Sequence, residues 1–320
     1  MQTQYEVVNE GTLDAAQRLA AAGWPVAALN FASAKHPGGG FLNGAEAQEE
    51  NLARNSALYA SLTSVAARDF YGKPKSALYA DNLIYSPGCP VIRDGRTGAL
   101  LPQTWQCSFI TAAAPNAGIA RVRGFSDSEI TATLRERADR VLGVAVERGH
   151  TAIVLGAWGC GVFKNEPDTV AQVFAQLLRE KYAGRFAYCS FAVCGPEANR
   201  AAFAMHFGRE GRMLIRPLAP PTELFLSQPV EMAKELEEPV AAGGHNSTAT
   251  GEVDGDAVVE LDSVTSDADM HPGSWACSSA HSPQRGLGRP RHPQTKAAGA
   301  RARATRTRHA RNLTEPTLFY

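Results

Sequence analysis

The six cysteines, Cys89, Cys107, Cys160, Cys189, Cys194 and Cys277, include no CxxC pair and lie mostly in apolar, strand-like segments. Neither a disulfide framework nor a zinc site is indicated by that pattern. The eight histidines offer no ligand spacing either, and five of them (His245, His271, His281, His292, His309) fall late in the chain. No metal and no cofactor are therefore expected. Missing too is any apolar run near the roughly 20 residues that a membrane span needs, and no signal peptide opens the chain. A cytoplasmic protein without membrane contact is the expectation. Net charge is also absent, since 32 Lys and Arg balance 32 Asp and Glu. That zero averages unlike regions: residues 252–269 carry only acidic charges and 285–311 only basic ones. It implies nothing about partners.

Aromatic and branched-aliphatic periodicity is confined to the chain before about residue 217, and no internal repeat is present. The reading is one folded domain over 1–217 and a low-complexity, disordered tail over 218–320, in which only Glu231 to Glu238 hints at a helix. The Arg, His and Pro-rich stretch 281–311 has the composition for weak contact with a polyanion, against the plainer role of a solvated tail.

Within the domain, Thr12 to Ala22 repeats Leu13, Ala16, Leu19 and Ala20 at helical spacing, and Gly23-Trp24-Pro25 stops it before the buried run Val26 to Phe31. A glycine-rich loop, Lys35 to Gly44, leads into a helix with Leu52, Leu58, Tyr59 and Leu62 inward. Ser76 to Tyr85 and Ser108 to Ala114 read as strands ended by Ser86-Pro87-Gly88 and Pro115-Asn116. Ser126 and Glu129 form a capping box ahead of a helix reaching Gly149. Thr151 to Leu155 is a short buried strand that breaks into a second glycine loop, Gly156 to Gly161. A helix opened by Pro167, a strand over Arg185 to Val193 and a helix from about Pro196 to Phe207 complete an α/β pattern with a mainly parallel sheet covered on both faces.

Two strand-loop-helix units thus place glycine backbone at the carboxyl edge of the sheet, where ligands of such sheets bind. Glycine lets a diphosphate approach main-chain amides, and a helix N-terminus adds partial positive charge. Two such loops suit a ligand with a diphosphate in its middle, although paired structural turns would look similar. Gly156-Ala157-Trp158-Gly159-Cys160-Gly161 has the wrong spacing for GxGxxG, and no Gly-Lys-Ser/Thr follows for a P-loop, so dehydrogenase and ATPase chemistry lose ground. Glu49 and Glu50 fall in the opening turn of the helix after the first loop. Alone they would be ordinary helix-start carboxylates, but beside a phosphate-suited loop they supply what glycoside cleavage needs, an acid for the leaving oxygen. The helix dipole lowers such pKa values while burial and mutual repulsion raise one of them, and the balance stays open.

Pro37-Gly38-Gly39-Gly40, seven residues, then Gln48-Glu49-Glu50 resembles the GGG-spacer-QEE signature of poly(ADP-ribose) glycohydrolases. Leu29-Asn30-Phe31-Ala32-Ser33, Tyr85-Ser86-Pro87, Ala114-Pro115-Asn116 and Gly156 to Phe163 are similar to the bacterial-type branch, and the resemblance spans about residues 5–210. It implies a macrodomain-like three-layer fold without metal. It implies further that Glu50 protonates the glycosidic oxygen between ADP-ribose units and then activates water, while Glu49 holds the ribose hydroxyls and leaving group in place and Gly156 to Phe163 wraps the diphosphate. Substrate contacts are implied for Asn30, Ser33, Gly38, Gly39, Gly40 and Gln48, and for Gly156, Ala157, Gly159, Cys160, Gly161, Val162 and Phe163, the last on the sugar. Many bacterial members carry a longer helical stretch ahead of the first matched helix, and its lack here is expected to bear on solubility and stability.

The substrate implied is poly(ADP-ribose) or an ADP-ribosylated macromolecule, handled by a monomer. A non-catalytic ADP-ribose reader and a hydrolase of single ADP-ribosyl groups on protein or nucleic acid are the competing possibilities, the first disfavoured by retention of both glutamates. Three nearby residues have plainer roles. Cys160 reads as a small buried residue rather than an activated thiol, His36 as a loop residue rather than a base, and Trp158 either as a plug beneath its loop or as a ligand contact.

Overall fold

A computed structural model describes residues 2–72, 76–208, 210–218 and 317–319. Strands β1 (Gln4–Val8), β2 (Val26–Phe31), β3 (Leu83–Arg93), β4 (Leu100–Ala112), β5 (Ala152–Leu155), β6 (Tyr188–Ala192) and β7 (Thr317–Phe319) form one sheet in the order β1-β6-β5-β2-β4-β3-β7. Pairing is parallel from β1 through β4 and antiparallel at β4–β3 and β3–β7. The mixed, mainly parallel α/β sheet matches the expectation.

Its strands read as continuous apolar runs because both faces are covered. Along β2, Ala27 and Leu29 enter one core, with Leu134 and Val141 of helix α5 (Asp127–Glu147), Phe174 of α6 (Pro167–Glu180) and Phe203 of α7 (Glu197–Phe207). The alternate residues Val26 and Ala28 enter the other, with Leu13 and Leu19 of α1 (Thr12–Ala21), Leu52 of α2 (Gln48–Asn55) and Leu58 of α3 (Leu58–Leu62). Strand β5 divides likewise, Ile153 and Leu155 against Ala152 and Val154. A period of two thus sorts one strand between two helical layers.

Local signals set the ends of these elements. The α5 capping box forms as expected, Ser126 Oγ accepting from the Glu129 amide and the Glu129 carboxylate accepting from the Ser126 amide at 2.8 Å. Pro167 opens α6 and a buried stripe of Val170, Phe174, Leu177 and Leu178 follows.

Sequence and structure differ most around β3. Residues 76–82 are turn and loop, not strand, and β3 runs on through Ser86-Pro87-Gly88 to Arg93. Those three residues do not end the strand but make a bulge, with a register shift between Ser86 and Cys89 and Gly88 at φ 52°. Strand β4 likewise starts at Leu100, eight residues before the expected Ser108, because it pairs with the extended β3. Two short elements, β1 and α4 (Ala117–Val122), had no distinct sequence signal.

Residues 210–218 form a strap over the β1 side. The Gly211 amide donates to Val7 O, the Met213 amide to the buried Glu6 carboxylate, the Arg216 amide to Tyr188 Oη, and the Leu218 amide to Ala22 O. Trp24 Nε1 donates to Arg216 O at 2.7 Å. Within the expected tail, Thr317–Phe319 pairs with Leu83–Tyr85 as an edge strand. The hinted helix at 231–238 and the basic stretch 281–311 lie outside the described residues.

Candidate active site

The site is assembled where β2 ends. Asn30 on β2 faces Thr111 on β4 in register, and its Nδ2 donates to Thr111 Oγ1 at 3.1 Å and to Glu49 Oε1 at 3.3 Å. The Ser33 amide donates to Glu49 Oε2 at 2.6 Å. Gln48 docks α2 onto this strand: its Oε1 accepts from the Phe31 amide at 2.9 Å and its Nε2 donates to Leu29 O at 2.8 Å and to Thr12 Oγ1 at 3.0 Å. Both of its amide hydrogens are thus spent on protein, which makes Gln48 a clamp on β2. The substrate contact expected of it finds no free donor.

Glu50 turns toward the triple glycine. Its Oε1 accepts from the Gly40 amide at 3.0 Å and its Oε2 from the Ala47 amide at 3.1 Å. Between the two carboxylates stands Gly39, at φ 62°, where a Cβ would lie 2.2 Å from Glu50 Oε1 and 3.3 Å from Glu49 Oε2. Only a residue without a side chain lets loop and carboxylates approach this closely.

The neighbouring glutamates differ in setting. Glu49 is 3% exposed, and burial, with a smaller push from the Glu50 charge, raises its pKa to about 8 against the opposing hydrogen bonds from Ser33, Asn30 and Gly38. Burial therefore outweighs the hydrogen bonds that favour the charged form at this carboxyl, a balance that residue order alone does not decide. Glu50 is half-buried and stays within reach of solvent.

The second loop leaves β5, the hydrogen-bonded neighbour of β2, so both loops rise from one part of the sheet edge. Its inner half is bolted to the core. Trp158 is fully buried with Nε1 donating to Ala112 O at 3.1 Å, so it is the plug beneath the loop. Asn165, 4% exposed, donates to Pro115 O and Gly159 O. A Cβ at Gly156 would meet Ala192 O at 2.5 Å and the Phe31 ring at 3.0 Å. Ala157 and Cys160 pack against the same core, and burial pushes the Cys160 thiol up to about 12, which removes it as a thiolate at neutral pH. The outer half is open: a Cβ at Gly161 would meet no atom within 4 Å, and Val162 is 77% exposed. Phe163 faces the Tyr79 ring at 5.6 Å, and Tyr79, itself at φ 62°, receives a hydrogen bond from Asn116.

Sequence-expected residues therefore converge as one cluster of Asn30, Ser33, Gly38 to Gly40, Glu49 and Glu50, with Gly156 to Phe163 in the loop that leaves the adjacent strand β5. Thr111, Thr12, Asn165 and Tyr79 were not foreseen. Their contacts join residues 36 to 81 positions apart in the cases of Thr12 with Gln48 and Thr111 with Asn30, beyond any local motif. Among the described residues, no group of three or more His, Cys, Asp or Glu side chains could hold a metal ion.

Comparison with known proteins agrees with this geometry. The family model for the microbial-type PARG catalytic domain matches residues 1–94. A search of curated proteins finds no match. Among solved structures, the poly(ADP-ribose) glycohydrolase of Thermomonospora curvata bound to the inhibitor ADP-HPD is 52% identical, covering 64% of this chain and 79% of that one at a TM-score of 0.60. The poly(ADP-ribose) glycohydrolase of Deinococcus radiodurans in complex with ADP-ribose is 49% identical, covering 64% of this chain and 84% of that one at a TM-score of 0.60. With identity near one half over most of the length of these enzymes, and the QEE glutamates set against the triple glycine, this chain belongs to the microbial-type poly(ADP-ribose) glycohydrolase family.

Proposed function

We propose that this chain hydrolyses the ribose–ribose O-glycosidic bond of poly(ADP-ribose) and releases ADP-ribose, on a macrodomain-type sheet. The observation that carries this reading is the division of labour between Glu49, sealed against Asn30 and Ser33, and Glu50, half-buried against the glycine loop. A general acid must reach both the leaving oxygen and, later, water, and Glu50 is the one of the pair with that access. In the first step the Glu50 proton passes to the glycosidic oxygen as its bond to the anomeric carbon breaks, leaving an oxocarbenium-like ribose. Water then adds to that carbon and returns a proton to the Glu50 carboxylate. Glu49 holds ribose hydroxyls in place, and the open Gly161–Val162 half of the second loop offers backbone to the diphosphate.

One observation favours a second assignment. Burial raises the Glu49 pKa to about 8, which favours its protonated form and suits it to donate. Exposure argues the other way, because the water that completes the reaction has readier access to the half-buried Glu50 than to Glu49, which is 3% exposed.

The reading is tested by incubating the purified protein with poly(ADP-ribose) and, separately, with mono-ADP-ribosylated protein, and following free ADP-ribose by chromatography. Release from the polymer is expected. Binding of ADP-ribose with no release from either substrate would identify a reader, and release from the second alone a mono-ADP-ribosyl hydrolase.

A further inference from the structure

Two polar atoms are sealed from solvent and have no hydrogen-bond partner among the described residues around Glu49: Asn30 Oδ1, whose amide nitrogen bonds that carboxylate, and Tyr71 Oη, which lies within reach of its charge. A buried polar atom left unsatisfied costs stability, and native chains keep few of them. The first belongs to an amide whose nitrogen is bonded to Glu49. The second comes after the 3₁₀ turn Val65–Phe70, with its ring edge-on to Phe70 at 4.8 Å and packed on the core that contains Ala32, Leu58, Leu62 and Ala113. Aromatic packing therefore fixes the ring, and nothing in that packing uses the hydroxyl.

We propose that Tyr71 is a substrate-binding residue whose hydroxyl hydrogen-bonds the ribose hydroxyl group held by Glu49, so that the sugar completes a cradle of Asn30, Glu49 and Tyr71. The inference rests on the function proposed above. Burial raises the phenol pKa and the nearby Glu49 charge adds to this, so the group stays a neutral O–H donor throughout the working pH range. A ribose diol can serve both orphans, accepting from the phenol and donating to the Asn30 oxygen. A diphosphate cannot, since it brings acceptors alone at neutral pH and Asn30 Oδ1 needs a donor.

The test compares the full-length wild type with Tyr71→Phe in calorimetric titrations with ADP-ribose and with ADP, which lacks the distal ribose, alongside thermal unfolding without ligand. Removing an unpartnered hydroxyl should leave the melting temperature unchanged or raise it. The ADP-ribose Kd should rise about tenfold, the value of one lost hydrogen bond, while the ADP Kd stays put. Three outcomes would overturn the proposal: an unchanged ADP-ribose Kd, an equal loss for ADP, or a lowered melting temperature, which would mean that the hydroxyl serves the fold. A wild type that fails to bind ADP-ribose at all would overturn the proposed function itself, and the inference with it.

Discussion

Glu49 and Glu50 are adjacent in sequence and share the first turn of α2, yet they look into different surroundings. Glu49 points into a sealed niche formed by Asn30 Nδ2 and the Ser33 amide, while Glu50 spans the Gly40 and Ala47 amides at a part-exposed rim. Successive positions on a helix diverge by about 100°, so one turn can feed a buried anchor and a reachable acid. Each face of this pair makes its own experimental demand.

The buried face predicts a pH effect on stability. Because the folded pKa of Glu49 is raised to about 8 from an ordinary carboxylate value, the folded state binds a proton that the unfolded chain has released. The stabilisation linked to this proton is complete below the unfolded pKa, near 4.5, and fades as pH climbs through about 8. Its slope is at most about 1.4 kcal/mol per pH unit. Glu49→Gln should abolish this component, melting higher than wild type at pH 8 and above. Melting curves from pH 5 to 9 that lose stability equally in both proteins would assign the effect elsewhere.

Opposite behaviour is expected of two glycines. At Gly39 a methyl group would collide with the Glu50 carboxylate and the backbone would be held at positive φ, so Gly39→Ala should destabilise by about 1 kcal/mol or more and depress turnover. At Gly161 the space is open and φ is ordinary, so Gly161→Val should melt like wild type and yet bind ADP-ribose more weakly by obstructing the loop backbone. Calorimetry on the folded Gly161→Val protein decides, and an affinity equal to wild type would take this loop away from the diphosphate.

Truncation should separate the strap from the residues beyond it. A chain ended at Leu218 keeps every tether of 210–218 and, among the described residues, loses only the three-residue pairing of β7, so turnover and melting temperature should stay close to those of the full chain. Ended at Gly208, the chain loses the Met213 amide and the Arg212 guanidinium from the buried Glu6 and Glu10 carboxylates, and should lose about 2 kcal/mol or more. Equal melting of the two truncations would show the strap to be ornamental, and loss of turnover at Leu218 would make the later residues part of the catalytic unit.

Much of this site is legible in sequence because its parts are local. The triple glycine and the QEE carboxylates lie on one loop and the helix it feeds, and the apolar runs of β2 and β5 announce strands buried on both faces. What escaped was tertiary. Ser86-Pro87-Gly88 has the composition of a turn and becomes a bulge only because β4 offers a partner beyond it. Gln48 looks like a ligand-facing member of a motif, yet its amide is consumed by Leu29, Phe31 and Thr12. Tyr71 has no marker at all, since the role proposed for it lies in a hydroxyl left unpaired among the described residues.

The central claim, that Glu50 carries the proton and Glu49 anchors the sugar, is tested most directly by Glu50→Gln with two readouts on one preparation. Glutamine keeps the shape and can still accept from the Gly40 amide, but it cannot protonate the leaving oxygen. Release of ADP-ribose from poly(ADP-ribose) should fall by about 100-fold to 10,000-fold while ADP-ribose affinity changes little. Glu49→Gln, measured beside it, should lose binding together with rate. Near-normal turnover in Glu50→Gln, with activity lost in Glu49→Gln at unchanged affinity, would contradict the account and make the buried carboxyl the acid.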